Sequence, residues 1–263
     1  MQLIVLFFII LSYNFIIGGN VKKYIKIILL FSLSVILFGC DKKEDTLVMV
    51  TEAGFEPYEY IVGNNEIVGV DVDIAREIAK EVGKKLEVKN VFFDSIINEL
   101  NSGKADFAAA GMSVTEERKK EVDFSLEYIT SKQVIVVNKN NNSIKTKDDL
   151  NNKTVSVQGG TVGETYVSKN FKNAKVVIQK KFLSAAEDVK ANKSDCIVMD
   201  ELPAKELVSK NPTLTILDIE LVTDKYAIAV KKGNTKLLNT INKVLDRLMK
   251  EGKIEEYVIN HTS

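Results

Sequence analysis

Laid over itself with an offset of 89 residues, the chain sets Phe93 on Phe182, Ser95 on Ser184, Leu100 on Val189, Lys104 on Lys193 and Asp106 on Asp195. In each copy a helical pattern leads through Lys-x-Asp into a short strand, and the two strands end at Gly111 and Asp200. A second pairing, with a different offset, sets "LVMVTEAG" against "TVSVQGGT". Strands separated by helices must cross over and run parallel, so a duplicated unit of this kind predicts two α/β lobes of similar topology.

The segments between the repeats agree. "TLVMV" reads as a strand and "IVGNNEIVG" as a hairpin turning at Asn64-Asn65. "DVDIAREIAKEVG" carries Ile74, Ile78 and Val82 four apart, with Gly83 as a stop. "LEVKNV" is a strand, "DSIINELNSG" a helix ending near Gly103, and "ADFAAAG" a strand again. A helix from Thr235 puts Leu238, Ile241, Leu245 and Leu248 on one face, stops at Gly252, and is expected to pack on lobe one.

Charge and residue supply narrow the function. The 36 basic and 36 acidic side chains cancel, which argues against a nucleic-acid partner. The two cysteines make no disulfide framework, and Cys196 reads as a small buried apolar residue. The single histidine, His261, leaves histidine-based catalysis and metal binding poorly supplied; no metal and no cofactor are expected.

The N-terminus has the layout of a secretory signal: Lys22, Lys23 and Lys26, then an apolar run from Ile27 to Phe38, then Gly39-Cys40. A cysteine after a small residue resembles the lipobox of bacterial lipoproteins, with Cys40 as the lipid-bearing residue; a plain membrane helix with an incidental cysteine is the alternative. Residues 1–20 lack the basic start of a signal and are expected to lie outside the protein, with initiation at Val21. The chain therefore divides into an extension and signal over 1–39 and a tether over 40–46. Lobe one follows over 47–136, lobe two over 137–225, and a return to lobe one over 226–263. The crossings fall near "VIVVNK" and "TDKYAIAV".

Ligands of open α/β sheets sit beyond the carboxyl ends of the strands. Those ends are Thr51 to Phe55, Gly111 to Ser113, Gln158 to Thr161, and Asp200. Arg118 follows the cap Thr115 and the first-turn acids Glu116 and Glu117, where the helix dipole disfavours a cation. It reads either as part of a solvated mixed-charge face or, with the N–H groups of Gly111 to Thr115, as a socket for a carboxylate. Phe55 is a stacking wall or core. Gly159-Gly160-Thr161 is an anion nest or an ordinary turn. Asp200 is a helix cap or the partner of an ammonium. Taken together, a cation, two donor sets, an acid and an aromatic wall, with Glu52 left over, make the inventory for a free α-amino acid.

"TEAGFEPYEY", "GVDVDIAREIAKE", "AAGMSVTEERKKEVDFS", "VSVQGGT" and "IVMDE", in that order, make the chain resemble the polar amino-acid binding proteins of bacterial ABC importers, from about Leu47 to Tyr257. The resemblance implies a two-lobed periplasmic-binding-protein-like fold of type II, with two parallel-rich sheets joined by two hinge crossings. It implies that Phe55 and Phe93 flank the ligand and that Gly111 and Ser113 contact its ammonium and carboxylate. Arg118, Thr161 and the N–H of Val162 hold the carboxylate, and Asp200 pairs with the ammonium. Val162 departs from the threonine or glycine of many relatives, and Met199 offers no polar contact. Glu52, Gln158 and Met112 resemble the arginine-binding branch, so a basic amino acid is favoured, with glutamine or another polar amino acid as the alternative. The implied partner is an ABC permease, with the protein monomeric, lipid-anchored at Cys40 on the extracytoplasmic face of the cell membrane, and not an enzyme. An enzyme or a receptor sensor on the same fold is the rival reading.

Overall fold

The computed structural model describes residues 45–262. The readings of residues 1–39 and of Cys40 lie outside the described residues. β1 (Thr46–Thr51) is followed by the hairpin of β2 (Tyr60–Val62) and β3 (Glu66–Val68), with Asn65 at φ 67° in its turn. Helix α1 (Val70–Val82) ends on Gly83 in the left-handed conformation, as its spacing predicts. β4 (Lys85–Asn90), α2 (Ile96–Asn101) and β5 (Phe107–Ala108) complete the first unit, with β4 and β5 both parallel to β1. The one-turn helix α3 (Glu116–Lys119) then leads into the long β6 (Val122–Asn138).

The second unit repeats this plan. β7 (Thr154–Gln158) is followed by α4 (Val162–Asn170), β8 (Lys175–Gln179), α5 (Phe182–Lys190), β9 (Cys196–Asp200) and α6 (Glu201–Ser209). β8 and β9 run parallel to β7. β10 (Leu214–Lys231) returns antiparallel along β6, pairing with β5 at one end while β6 pairs with β9 at the other. The resulting order, β4-β1-β5-β10-β6-β9-β7-β8, reads alike from both ends. The two parallel-rich sheets are thus joined into one by the crossing strands. Residues from Gln133 onward already pair with Asp200 and its neighbours, so β6 enters the second half slightly ahead of the boundary drawn at 136.

The duplication is visible atom by atom. Asp106 accepts the Val48 N–H at 2.8 Å through Oδ2, and Asp195 accepts the Thr154 N–H at 2.7 Å in the same way. Gly103 and Asn192, also 89 apart, both adopt positive φ where each helix ends. One reading needs correction: Val48 corresponds to Thr154, so "LVMVTEAG" and "TVSVQGGT" align one residue away from the pairing drawn on sequence. The corrected register makes Glu52 and Gln158 equivalent positions of the two lobes. We expect Asp195→Ala to destabilise the protein by about 1.5–3 kcal/mol, the value of a charge-assisted hydrogen bond, read as a lower urea midpoint at unchanged m.

One hydrophobic cluster runs along a single face of the whole sheet, from Ile74 and Ile78 of α1 to Ala185 and Ala186 of α5. The opposite face is covered separately, by Ile96 and Leu100 in lobe one and by Ile144, Leu150 and Val167 in lobe two. Helix α7 (Thr235–Lys250) buries Ile241, Val244, Leu245 and Leu248 and packs on lobe one, with Lys243 and Arg247 each 2.6 Å from Glu81 and Glu77 of α1. Helix α8 (Lys253–His261) ends with His261 Nε2 2.9 Å from Asp73 of α1. Among the described residues no helix is long and apolar enough to cross a membrane.

Candidate functional site

Every parallel strand of both units points its carboxyl end at one cleft, and the loops there line a small cavity. Glu52, Phe55, Phe93, Gly111, Ser113 and Arg118 line it from lobe one; Gln158, Thr161, Val162 and Asp200 line it from lobe two. Met112 was expected here and is not brought to it. Gly111 and Ser113 line the cavity, while Met112, 1% exposed, packs in the core cluster with Val50 and Ile96. Three further lining residues were missed by sequence reasoning, Glu59, Ala110 and Phe182.

Phe55 is both wall and core. It is 7% exposed and stacks on Phe182 across the cleft, centroids 5.8 Å apart and planes at 24°. Gly111 sits against this ring at φ 51°; a Cβ there would lie 2.5 Å from Phe55 Cε1, so the backbone conformation and the close approach both favour glycine. The Gly111 N–H, expected among the free donors, is taken by Asp71 Oδ2 at 2.8 Å, and the Val114 N–H by the Lys225 carbonyl.

Arg118 is 8% exposed, which removes the solvated-face reading. Thr115 caps its helix, accepting the Arg118 N–H at 3.1 Å. The guanidinium donates to the Ser113 carbonyl at 2.5 Å and, across the cleft, to the Gly160 carbonyl at 2.9 Å, with its carbon 5.3 Å from the centre of the Phe93 ring. No carboxylate pairs with it among the described residues; Asp224 and Asp200 act on it only at a distance, and burial lowers its pKa to about 10. A buried cation held this way is costly unless an anion joins it. In the Gly-Gly-Thr turn, the Gly160 N–H goes to Glu164 at 2.6 Å, while Thr161 caps α4 through the Glu164 N–H. Helix geometry leaves the N–H groups of Val162 and Gly163 without intrahelical partners.

Asp200 does not cap α6. Its carboxylate accepts from Ser131 Oγ at 3.0 Å and from Tyr226 OH at 2.5 Å. Burial, followed by the field of Asp224, pushes its pKa up. Asp224, from the crossing strand β10, was read only as part of a crossing; it accepts from Gln133 Nε2 at 3.0 Å and is likewise shifted up by burial. At the far end Glu52, 2% exposed, accepts from Gln158 Nε2 at 3.2 Å, and burial raises its pKa against the help of Gln158 and Lys181. Among the described residues, the buried side-chain atoms without a partner are Glu52 Oε1, Glu59 Oε2, Gln133 Oε1, Asp224 Oδ1 and Thr51 Oγ1. The cleft and its surround thus offer unmet acceptors at carboxylates and one amide, against a single unpaired cation.

Around the rim, acids of lobe one meet lysines of lobe two: Asp94 with Lys180 at 2.5 Å, Glu117 with Lys169 at 3.5 Å, and Glu56 with Lys210. With the Phe55–Phe182 stack and the Arg118–Gly160 bond, they hold the lobes against each other.

The comparisons extend this geometry. The arginine-binding extracellular protein ArtP of Bacillus subtilis is 32% identical over 224 residues, covering 83% of this chain and 86% of that protein. The amino-acid ABC transporter substrate-binding protein AbpA of Streptococcus pneumoniae, solved bound to L-arginine, superposes with a TM-score of 0.80 at 33% identity, covering 83% of this chain and 95% of the other. An ancestral arginine-binding protein solved bound to glutamine gives a TM-score of 0.77 at 42% identity, covering 81% and 96%. The family model for bacterial extracellular solute-binding proteins, family 3, matches residues 47–261. With a two-lobed fold, a cleft at the strand ends and this match over nearly all the described residues, the chain belongs to the bacterial extracellular solute-binding proteins of family 3.

Proposed function

We propose that this protein captures a free basic amino acid, arginine before others, between its lobes and delivers it to an ABC permease. The observation that carries the reading is the mismatch of hydrogen-bonding groups in the cleft. Its unsatisfied atoms include carboxylate oxygens of Glu52, Glu59 and Asp224, and its one cation, Arg118, has no carboxylate partner among the described residues. A ligand that cancels both must present one carboxylate and several N–H donors, two of its groups being cationic. Free arginine has that inventory, since an ammonium and a guanidinium only donate. Its carboxylate meets Arg118 and the free N–H of Val162, its ammonium meets Asp200, and its guanidinium meets Glu52 and Gln158, with Phe55 and Phe93 against the stem.

A second reading is glutamine. Burial raises the Glu52 pKa, and a protonated Glu52 could donate to a side-chain amide. The ancestral relative solved with glutamine supports keeping it.

In the same reading Cys40 carries a diacylglyceryl anchor, two acyl chains being what stable attachment requires, and the protein works as a monomer on the extracytoplasmic face of the membrane. The lobes, over about 47–136 with 226–263 and over 137–225, hinge where β6 and β10 cross, near the register shifts between Glu220 and Thr223 and between Tyr226 and Ala227. Delivery is tested by uptake of labelled arginine in cells lacking the protein. Uptake should fall and return on re-expression; unchanged uptake of arginine and lysine would refute the role.

A further inference from the structure

The contacts proposed for the ligand leave one buried acid of the cavity without a task, Glu59. It is 1% exposed, lines the same cavity as Glu52, and its Oε2 has no partner. Beside it stands Asp71, fully buried at the start of α1, whose carboxylate already accepts one hydrogen bond on each oxygen. Oδ1 accepts the Tyr128 hydroxyl at 2.6 Å and Oδ2 the Gly111 N–H at 2.8 Å.

The other groups facing Glu59 are also acidic or phenolic. They are Glu52 beyond β1, Asp200 at the end of β9, Tyr58 on its own segment and Tyr128 of β6. Arg118 stands in the wall of the same cavity. Two adjacent carboxylates in such surroundings cannot both ionise. Asp71, with two donors fixed on it, keeps the charge. Glu59 keeps the proton and donates it to Asp71, and burial and that bond move its pKa well above the ordinary value.

We propose that Glu59 is the proton-exchanging residue of the cleft: it holds a proton while the cleft is empty, and a cationic ligand group arriving beside Glu52 displaces that proton to solvent. The inference rests on the basic-ligand reading and identifies a residue that tunes it. On binding, the Glu59 O–H bond breaks, the proton passes to water or buffer, and the new carboxylate shares the ligand's positive charge with Glu52. A neutral ligand supplies no such charge and leaves the proton where it is, so the exchange favours arginine or lysine increasingly as pH rises.

The sign follows from linkage. A carboxyl whose folded pKa is raised stabilises the ligand-free fold fully below its unfolded value, near about 4.3, and that contribution is lost as pH rises through the folded value. Arginine removes the penalty of ionising Glu59, so its affinity grows with pH over that window and falls on acidification by up to about tenfold per pH unit.

The test is calorimetric titration of arginine into the whole protein at mildly acid pH, in phosphate and in a buffer of high ionisation heat. The wild type should give different heats in the two buffers, corresponding to release of about one proton. Glu59→Gln, which keeps the shape and a donor toward Asp71, should bind arginine with a smaller difference between the two buffers and a flatter pH profile, the remainder coming from Asp200 and Glu52. Equal heats in the wild type, or a buffer dependence undiminished in Glu59→Gln, would overturn the proposal. An infrared spectrum of the ligand-free protein separates the two layers of the argument. The difference spectrum of wild type minus Glu59→Gln should hold a protonated-carboxyl band, beyond what Asp200, Asp224 and Glu52 contribute to both proteins; its absence overturns the proposal whatever binds. The band without arginine heat would refute the ligand reading and, with it, the exchange.

Discussion

Replacing Arg118 with methionine should weaken binding of every α-amino acid by about 2–5 kcal/mol, roughly 30- to 5000-fold, the cost of truncating one partner of a buried, hydrogen-bonded charge pair. Methionine keeps an apolar stem against Phe93 and removes the charge. Because the ligand's carboxylate is common to all candidates, arginine, lysine and glutamine should lose affinity together. The ligand-free protein should hold its melting temperature or gain, since Arg118 is a buried cation without an ion-pair partner and its pKa is already depressed by burial. Calorimetric titration with thermal unfolding of the same variant checks both halves. A variant that binds normally would show that the carboxylate sits elsewhere. One that loses stability without losing affinity would make Arg118 a strut between Ser113 and Gly160.

Glu52→Gln should separate ligands that Arg118→Met cannot. The substitution keeps the size and the contact with Gln158 and removes the negative charge. Arginine should weaken by about 1.5–3 kcal/mol, the worth of a charged hydrogen bond, or roughly 10- to 150-fold. Glutamine should change little, since an amide at Glu52 still offers acceptor and donor to a neutral amide. Competition titrations of arginine against glutamine on the two proteins give the ratio directly. An arginine affinity indifferent to Glu52→Gln would shift the cation to Asp224 or Glu59 and discard the assignment of Glu52, while leaving amino-acid capture intact.

The architecture was readable because the chain states it twice. The Lys-x-Asp repeat turned out to be functional architecture in miniature: Asp106 and Asp195 each pin the first strand of their lobe through the same N–H bond. Gly111, Arg118, Thr161 and Asp200, picked out from strand ends and caps, all line the one cavity. Phe182 was in view as the repeat mate of Phe93, yet its stacking on Phe55 depends on how the lobes meet, which no local pattern encodes. Glu59 and Asp71 are buried acids whose burial no local pattern marks. Asp224 is one polar residue in a long crossing strand, and its link to Gln133 spans 91 positions. Long-range polar pairings of this kind carry no periodicity, so the sequence offers no signal for them.

The central claim is that the cleft is built for a cationic amino acid. A thermal-shift screen of the protein, unfolded and refolded first to strip any carried ligand, tests it most directly. A ligand that binds only the folded state raises the midpoint with its affinity and concentration. The account predicts the largest shift with arginine, a smaller one with lysine, and little with neutral amino acids. A shift with glutamine or histidine and none with arginine would contradict it.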